Sequence, residues 1–208
     1  MKEQRTRGLT PQKKAKTSSI SGEALSGTVS RAKEGHVEAF QELYELYGRK
    51  ILNYIYRLTG SREAAEDLAQ DTFVLAYKNL KSLKENGKFQ SWLFRIAQNN
   101  VYQQYRGFRP QFHSDLETES SEGSELQRLA APQKGPEDRL LSDELERVVE
   151  EVIYKLPDKY KKVFVLSAVH KLSYMEISEI VGRSLASVKS DIHRARVEVR
   201  EKVKDYLG

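Results

Sequence analysis

The sequence has no cysteine, which excludes a disulfide framework and a thiolate metal site. It also lacks long apolar runs: the longest, VFVLSAV at residues 163–169, is far too short to cross a bilayer as a helix. The basic N-terminus is not followed by an apolar stretch, so it does not have the pattern of a secretory signal. We therefore expect a soluble, cytoplasmic protein.

Signatures of catalysis are also missing. The four histidines (His36, His113, His170 and His193) are scattered along the chain without the spacing of metal ligands. There is no glycine-rich phosphate loop with its lysine, and no Gly-x-Ser-x-Gly nucleophile turn. The sequence therefore predicts neither an enzyme nor a cofactor or metal site.

The chain is rich in charged residues, and its apolar residues recur at helical spacing. Charged residues make up 31% and hydrophobic residues 38% of the chain, a balance typical of small solvated units rather than one deep core. Apolar residues recur at helical spacing from Val37 onward, and no segment alternates as a strand does. The sequence therefore predicts an all-α protein.

Composition divides the chain into four parts. Residues 1–32 predict a disordered basic tail, because they lack periodicity and have few large apolar residues. Residues 33–106 carry three helical patterns joined by short turns, which predicts a compact bundle. Residues 107–141 are rich in Gly, Ser, Pro and Glu and predict a flexible acidic linker. Residues 142–206 are helical again, so we expect two small helical domains that are loosely tethered.

Two short helical patterns meet at Gly182 in SYMEISEIVGRSLASVKSDIHRAR, residues 173–196. Ser173 and Ser184 can cap these helices, and Gly182 lies where a tight turn needs a positive φ. The second helix has an apolar stripe for its buried side, made of Leu185, Val188, Ile192, Ala195 and Val199. This arrangement is typical of a helix-turn-helix.

The opposite side of that second helix is small, polar and basic. It presents Ala186, Ser187, Ser190, His193 and Arg194, with Lys189 and Arg196 at its flanks. Small side chains allow close approach to base edges in the major groove, and the cations can reach phosphates. The face favours DNA binding over an ordinary helical hairpin with a solvated charged surface.

The helix in SREAAEDLAQDTFVLAYKNL, residues 61–80, has one acidic face. The face consists of Glu63, Glu66, Asp67, Gln70 and Asp71. No Lys or Arg occurs between Arg62 and Lys78, although a solvated helix usually interleaves the two signs of charge. The helix dipole accounts for acidic residues in the first turn, but Asp71 lies too far from the N-terminus of the helix for that explanation. The face therefore predicts a basic protein partner.

A third segment, NGKFQSWLFRIAQNNVYQQYR at residues 86–106, mixes aromatic, basic and amide side chains. Its aromatic residues suit either a core or stacking on unpaired bases, and its basic and amide groups could hydrogen-bond such bases. The residue types alone leave both interpretations open.

Together the three segments resemble a known family. EDLAQDTF, then GKFQSWLFRIAQNN, then LPDKYKKVFVLSAVHKLSYMEISEIVGRSLASVKSDIHRAR are similar to a bacterial sigma factor of the extracytoplasmic-function group. That group keeps only sigma regions 2 and 4, and the resemblance covers about residues 36–106 and 142–200. It implies a promoter-specificity subunit of RNA polymerase.

The resemblance also implies roles for residues in the first domain. The acidic helix is similar to the segment that docks on the clamp helices of the polymerase β′ subunit, with Glu63, Asp67, Gln70 and Asp71 as the implied contacts. GKFQSWLFRIAQNN is similar to the segment that opens and reads the −10 element on the single-stranded non-template strand. The residues implied there are Lys88, Phe89, Trp92 and Asn99.

For the second domain, the resemblance implies a helix-turn-helix that binds the duplex −35 element and sits on the flap of the polymerase β subunit. The implied DNA-binding residues are Ser187, Lys189, Ser190, His193, Arg194 and Arg196. An anti-sigma factor would be a further partner. The chain departs from the family at Ala186-Ser187, where Gly-Thr is frequent, and at Asp191, where arginine is frequent.

Two other functions fit parts of the pattern. A stand-alone helix-turn-helix regulator would bind duplex DNA without polymerase, and it would not need the acidic face around Asp71. A helical adaptor that only holds proteins together is disfavoured by the basic, small-residue face of residues 186–196.

Overall fold

The computed structural model describes residues 22–104 and 147–207. Regular structure in both ranges is entirely helical, which confirms the prediction of an all-α protein. The linker predicted at residues 107–141 and the first 21 residues of the predicted tail lie outside the described residues. No helix in the two described ranges is both long and apolar enough to cross a membrane.

The first described range folds into a bundle of helices. They are α1 (Gly22–Lys33), α2 (Val37–Thr59), α3 (Arg62–Asn79) and α4 (Phe89–Gln104), with 3-10 turns at Leu80–Ser82 and Asn86–Lys88. Gly60 ends α2 with a φ of 72°, a left-handed conformation that favours glycine. Ser61 then caps α3, because its side chain accepts a hydrogen bond from the Ala64 backbone amide.

Helix α1 corrects the prediction of a disordered tail through residue 32. Val29 and Ala32 are buried where α1 packs on α2, and Arg31 forms an ion pair with Glu42 of α2 at 2.9 Å. The apolar residues of α1 are too few to predict a helix from sequence. Such a short helix is marginal by itself and is stabilised by its contact with α2.

The core of the first bundle lies between the inner faces of α2, α3 and α4. Its fully buried large side chains include Leu43, Ile51, Tyr54, Leu93 and Phe94. A polar link joins two of these helices: Asn100 Nδ2 of α4 donates to Thr72 Oγ1 of α3 over 3.2 Å. The Thr72 hydroxyl donates in turn to the Leu68 carbonyl over 2.7 Å. Because these buried groups are paired, they fix α3 and α4 relative to each other without leaving an unsatisfied polar atom.

The second described range contains the helix-turn-helix. Its elements are a helix over residues 147–155, named α5, then α6 (Asp158–Phe164), a short π-helix (Val165–Val169), α7 (Tyr174–Val181) and α8 (Leu185–Leu207). Ser173 forms a capping box with Glu176 at the start of α7, and Gly182 ends α7 with a φ of 64°. Ser184 accepts from the Ser187 amide at the start of α8. The predicted caps and the predicted turn glycine are therefore confirmed.

The two bundles pack against each other, where the sequence predicts a loose tether. Helix α7 lies against α4, and Lys88 Nζ is 3.1 Å from Glu179 Oε1. Arg57 of α2 pairs with Glu150 of α5 at 3.0 Å. These ion pairs join residues far apart in the sequence, so local patterns did not predict them.

Candidate nucleic-acid interface

The outer face of α8 is open to solvent. Its exposed side chains include Ala186, Lys189, Ser190, His193, Arg194 and Arg196. The apolar stripe on the other side is buried: Val188 is 0%, Ile192 1% and Ala195 0% exposed. Three of the five residues predicted for the buried side are therefore buried, whereas Leu185 and Val199 are half-buried. The polar residues opposite them face solvent.

Asp191 belongs to the same helix but is buried, with 3% of its surface exposed. Its carboxylate pairs with Arg183, from the turn before α8, and lies 3.7 Å from Lys159 Nζ of α6. Arg183 also donates to Ser187 Oγ, so the hydroxyl of Ser187 is engaged within the bundle. The buried carboxylate is tolerated because Arg183, which hydrogen-bonds it, and Lys159 compensate its charge.

From sequence, Asp191 is only a departure from the family pattern. The available signal was spacing: Arg183, Ser187 and Asp191 follow one another at intervals of four residues, which places them on one side. That side is where α8 packs against α6.

Two arginines of the exposed face have weak partners within the second bundle. Arg194 Nη1 is 3.5 Å from the Tyr160 hydroxyl, and Arg196 Nη2 is 3.4 Å from the Ser167 hydroxyl. Both hydrogen bonds are long and both arginines are exposed. A phosphate can therefore replace these neutral hydroxyls, because charge-assisted hydrogen bonds are stronger.

The acidic face of α3 is also exposed. It consists of Glu63, Glu66, Asp67, Gln70 and Asp71. Glu66 pairs with Arg62 at 3.0 Å, but among the residues that the structure describes no ion pair engages Asp67 or Asp71. The same part of the chain groups no three His, Asp or Glu side chains as a metal site. The unpaired carboxylates therefore form a surface suited to a basic protein.

Exposed apolar side chains continue the acidic face toward the end of α3. Val74 is 44% and Tyr77 52% exposed, and both follow Gln70 at helical steps of four and seven. Tyr44 of α2 is 53% exposed beside them, with its ring 4.8 Å from that of Phe73. Sequence reasoning missed these side chains. Their spacing from Gln70 was the signal, and apolar groups beside charges are typical of protein interfaces.

Of the two residues at the start of α4 that the resemblance implies as DNA contacts, one is exposed and the other is buried. Lys88 is exposed, and its ammonium is paired with Glu179 at 3.1 Å and with Glu85 at 3.5 Å. Phe89 is fully buried, with its ring 5.4 Å from that of Tyr47. In this structure the ring of Phe89 fills the core and has no free surface for a base, so its contact with DNA stays a prediction.

Along α4, two of the side chains implied for the −10 element remain accessible. Trp92 is partly exposed and Asn99 is exposed. They are seven residues apart, about two turns, so they lie near the same side of the helix. Asn100 instead points into the core, where it bonds to Thr72. Helix α4 therefore presents groups that can stack on a base and hydrogen-bond it.

In the comparison with known proteins, both halves of the chain match regions of the same protein family. The family model for Sigma-70 region 2 matches residues 43–109, and the model for Sigma-70 region 4 matches residues 146–199. The chain is 37% identical to the ECF RNA polymerase sigma factor SigW of Bacillus subtilis, over 85% of this chain and 95% of that protein. It is 33% identical to the ECF RNA polymerase sigma-E factor of Haemophilus influenzae, over 86% of this chain and 95% of that protein.

Two solved structures share the fold. CnrH in complex with the cytosolic domain of CnrY matches with a TM-score of 0.64 at 25% identity, over 87% of this chain and 97% of that one. The sigma factor RpoE from Bartonella quintana, in complex with the anti-sigma factor NepR, matches with a TM-score of 0.61 at 20% identity, over 79% and 96%. Because two regional models match in order and the relatives are aligned over nearly their whole length, the chain belongs to the extracytoplasmic-function group of RNA polymerase sigma factors.

Proposed function

We propose that this sigma factor holds core RNA polymerase through the acidic face of α3 and recognises the promoter through α4 and α8. The observation that carries the proposal is the opposite chemistry of two exposed helix faces. Carboxylates without basic partners lie on α3, and small polar and basic groups lie on α8. One chain therefore has a surface for a basic protein and another for a polyanion, which a subunit that brings polymerase to DNA requires.

On α3, the docking surface for the β′ clamp helices combines charge with apolar contact. Asp67, Gln70 and Asp71 form its polar part, and Glu63 extends it toward the start of the helix. Val74 and Tyr77 add exposed apolar area on the same side. Charge complementarity steers such an encounter, and desolvated aromatic contacts provide much of its binding energy.

On α8, the exposed face enters the major groove of the −35 element. Ser190, His193 and Arg194 meet base edges, whereas Lys189 and Arg196 at the flanks bind phosphates. Ser187 lies at the N-terminal end of this face, and its bond to Arg183 sets the direction of its hydroxyl. The second bundle also sits on the flap of the β subunit.

On α4, the accessible groups bind the non-template strand of the −10 element. Trp92 provides a ring for stacking, Asn99 an amide for an unpaired base, and Lys88 a cation for a phosphate. Lys88 is paired with Glu179 in the structure. DNA therefore has to displace this carboxylate before Lys88 can bind a phosphate.

We further propose that the chain supplies binding surfaces and no catalytic groups, so that the chemistry belongs to the polymerase. It would then act in the cytoplasm, together with the polymerase. An anti-sigma factor is the remaining proposed partner. The structural neighbour CnrH was solved in complex with the cytosolic domain of CnrY. This complex supports a protein partner that binds the present chain through a cytosolic domain.

Run-off transcription tests the proposal directly. Purified core polymerase is supplied with a promoter library whose −10 and −35 elements are randomised, with and without this chain. We expect transcripts only when the chain is present, and enrichment of one pair of elements. A chain that binds duplex DNA without core polymerase, and starts no transcript with it, would instead be a stand-alone regulator.

A further inference from the structure

Helix α1 is bonded to the segment that leads into α4. Lys33, the last residue of α1, donates from Nζ to the Leu83 carbonyl at 2.5 Å and to Asn86 Oδ1 at 2.6 Å. The Asn86 side chain donates from Nδ2 to the Ser26 carbonyl of α1 at 3.3 Å. The turns between α3 and α4 are therefore tied at two points to a helix much earlier in the chain.

The tied segment, residues 80–88, has little structure to hold it in place by itself. It consists of two short 3-10 turns and the residues between them. Leu80 and Leu83 are its buried side chains, and its backbone bonds are local, such as Lys88 N–H to the Glu85 carbonyl at 3.0 Å. Because 3-10 turns have poor hydrogen-bond geometry, the position of this segment depends on contacts from outside it.

The environment of Lys33 indicates a positional role. Its ammonium binds neutral oxygens, and in the described ranges no ion pair joins it to a carboxylate. A lysine at the C-terminal end of a helix interacts favourably with the helix dipole even when its side chain extends into water. The ammonium is instead partly buried against two oxygen atoms, and both belong to the segment before α4. Holding that segment in place therefore explains the burial.

We propose that Lys33 is a positioning residue for recognition of the −10 element. By holding Leu83 and Asn86, it sets the path of the segment that ends at Lys88 and begins α4, and so the placement of Lys88 and Trp92 toward unpaired bases. Lys33 does not itself touch DNA. This inference rests on the proposed function of α4 as the surface for the −10 element.

The test uses holoenzyme reconstituted from core polymerase and full-length chain, with a fluorescent single-stranded oligonucleotide carrying the selected non-template −10 element. Lys33→Met should raise the Kd for this oligonucleotide on the order of tenfold, because charged hydrogen bonds that fix the segment are lost. Lys33→Arg keeps a cation with several donors and should restore most of the affinity. Asn86→Ala cuts the same link without changing α1, so it should weaken binding in the same direction.

Lys84→Met is the matched control. Lys84 is an exposed lysine of the same segment that bonds to no other described residue, so its loss changes charge near the DNA without cutting the link. We expect it to change the Kd less than Lys33→Met does. Amide hydrogen exchange at residues 83–88 should be faster in Lys33→Met, and adding Asn86→Ala to that variant should cause little further loss.

Two outcomes separate this inference from the function on which it rests. If wild-type holoenzyme binds the oligonucleotide and Lys33→Met and Asn86→Ala bind it equally well, the positioning role is overturned and the function of α4 stands. Equal losses in Lys84→Met and Lys33→Met would also overturn the positioning role, because charge alone would explain them. Wild-type holoenzyme that ignores the oligonucleotide would overturn the proposed function of α4, and the inference with it.

Discussion

Lys88 at the approach to α4 and Glu179 on α7 lie 3.1 Å apart, so the helix-turn-helix bundle holds a cation of the proposed −10 surface. Positions −10 and −35 differ by about 25 base pairs, which is on the order of 85 Å of duplex at about 3.4 Å per base pair. Helices α4 and α7 are in contact. For α4 and α8 to bind the two elements at once, as proposed, the two bundles have to separate.

Charge reversal at Glu179 should favour that separation. Glu179→Lys replaces an attraction to Lys88 by a repulsion, and an exposed pair of this kind contributes about 0.2–1 kcal/mol. The chain has no cysteine, so cysteines introduced at exposed positions 45 and 201 can carry two dyes specifically. We expect lower energy transfer in Glu179→Lys, with a larger difference at low salt. The same reversal at Glu23 on α1 serves as control, and equal transfer in all three proteins would contradict the prediction.

The His170 ring lies at the same contact between bundles. It is 4.9 Å from the ring of Phe94 and 5.8 Å from that of Tyr54, and its Nε2 is buried without a hydrogen-bond partner. Burial, with the nearby charges of Arg57 and Lys50, lowers the pKa of His170 from 6.5 to about 4. The folded chain therefore keeps this imidazole neutral.

Stability should consequently fall as the pH drops from about 6.5 to about 4. In this window the unfolded chain binds the His170 proton and the folded chain does not, so acid favours unfolding, by about 3 kcal/mol at the lower end. His170→Phe removes the titrating group and the unpaired nitrogen. We expect it to unfold at the same or higher urea concentration at pH 7 and to lose less stability at pH 4.5. His193→Ala, at an exposed histidine, is the control; if His170→Phe kept the full pH dependence, another group would be responsible.

Charge reversal on the acidic face should weaken the complex with core polymerase. Asp71 is exposed, so Asp71→Lys should leave helicity unchanged. At an interface, loss of one partner of a buried charge pair costs about 2–5 kcal/mol. Affinity can be measured by titrating labelled chain with core polymerase. Glu23→Lys reverses the charge of an exposed acid on α1, away from the acidic face, and should bind as wild type does. Unchanged affinity in Asp71→Lys would exclude this face as the docking surface.

Removal of the buried acid of α8 should destabilise the second bundle. Asp191→Ala leaves Arg183 and Lys159 without their partner, at a cost of about 2–3 kcal/mol. The cost is below that of a fully buried pair because Arg183 reaches solvent. Thermal unfolding followed by circular dichroism measures the loss. Adding Arg183→Ala should restore part of the stability, since no unpaired cation then remains at that position. Full additivity of the two losses would show that the residues do not act as a pair.

The exposed face of α8 should divide into residues for phosphates and residues for bases. Lys189→Ala should weaken binding to all sequences alike and reduce the salt dependence by about one unit. His193→Ala should change the preferred base at one position of the −35 element, by about 1–3 kcal/mol. Holoenzyme selection from a library with a randomised −35 element, at several salt concentrations, measures both. Unchanged base preference in His193→Ala would place His193 outside the groove.

Local patterns in the sequence determined the helices and most of their inner faces. The spacing of Val188 and Ile192 predicted the buried side of α8, and Ser173 and Gly182 predicted where α7 begins and ends. The run of acids without lysine or arginine predicted the exposed face of α3. These features are predictable because helical period and capping depend on residues within about one turn of each other.

Some side chains fit either the core or the surface as far as their sequence pattern shows. Only the tertiary structure decided which of the two each one occupies. Phe89, an aromatic residue in a basic segment, could fill the core or stack on a base, and its contact with Tyr47 places it in the core. Asp191 lies inside because Arg183 and Lys159 approach it from other elements, and Lys33 is bonded to a segment about fifty residues later in the chain. Such contacts depend on which surfaces meet when helices pack. Packing energy is summed over many distant pairs, so no local pattern in the sequence contains it.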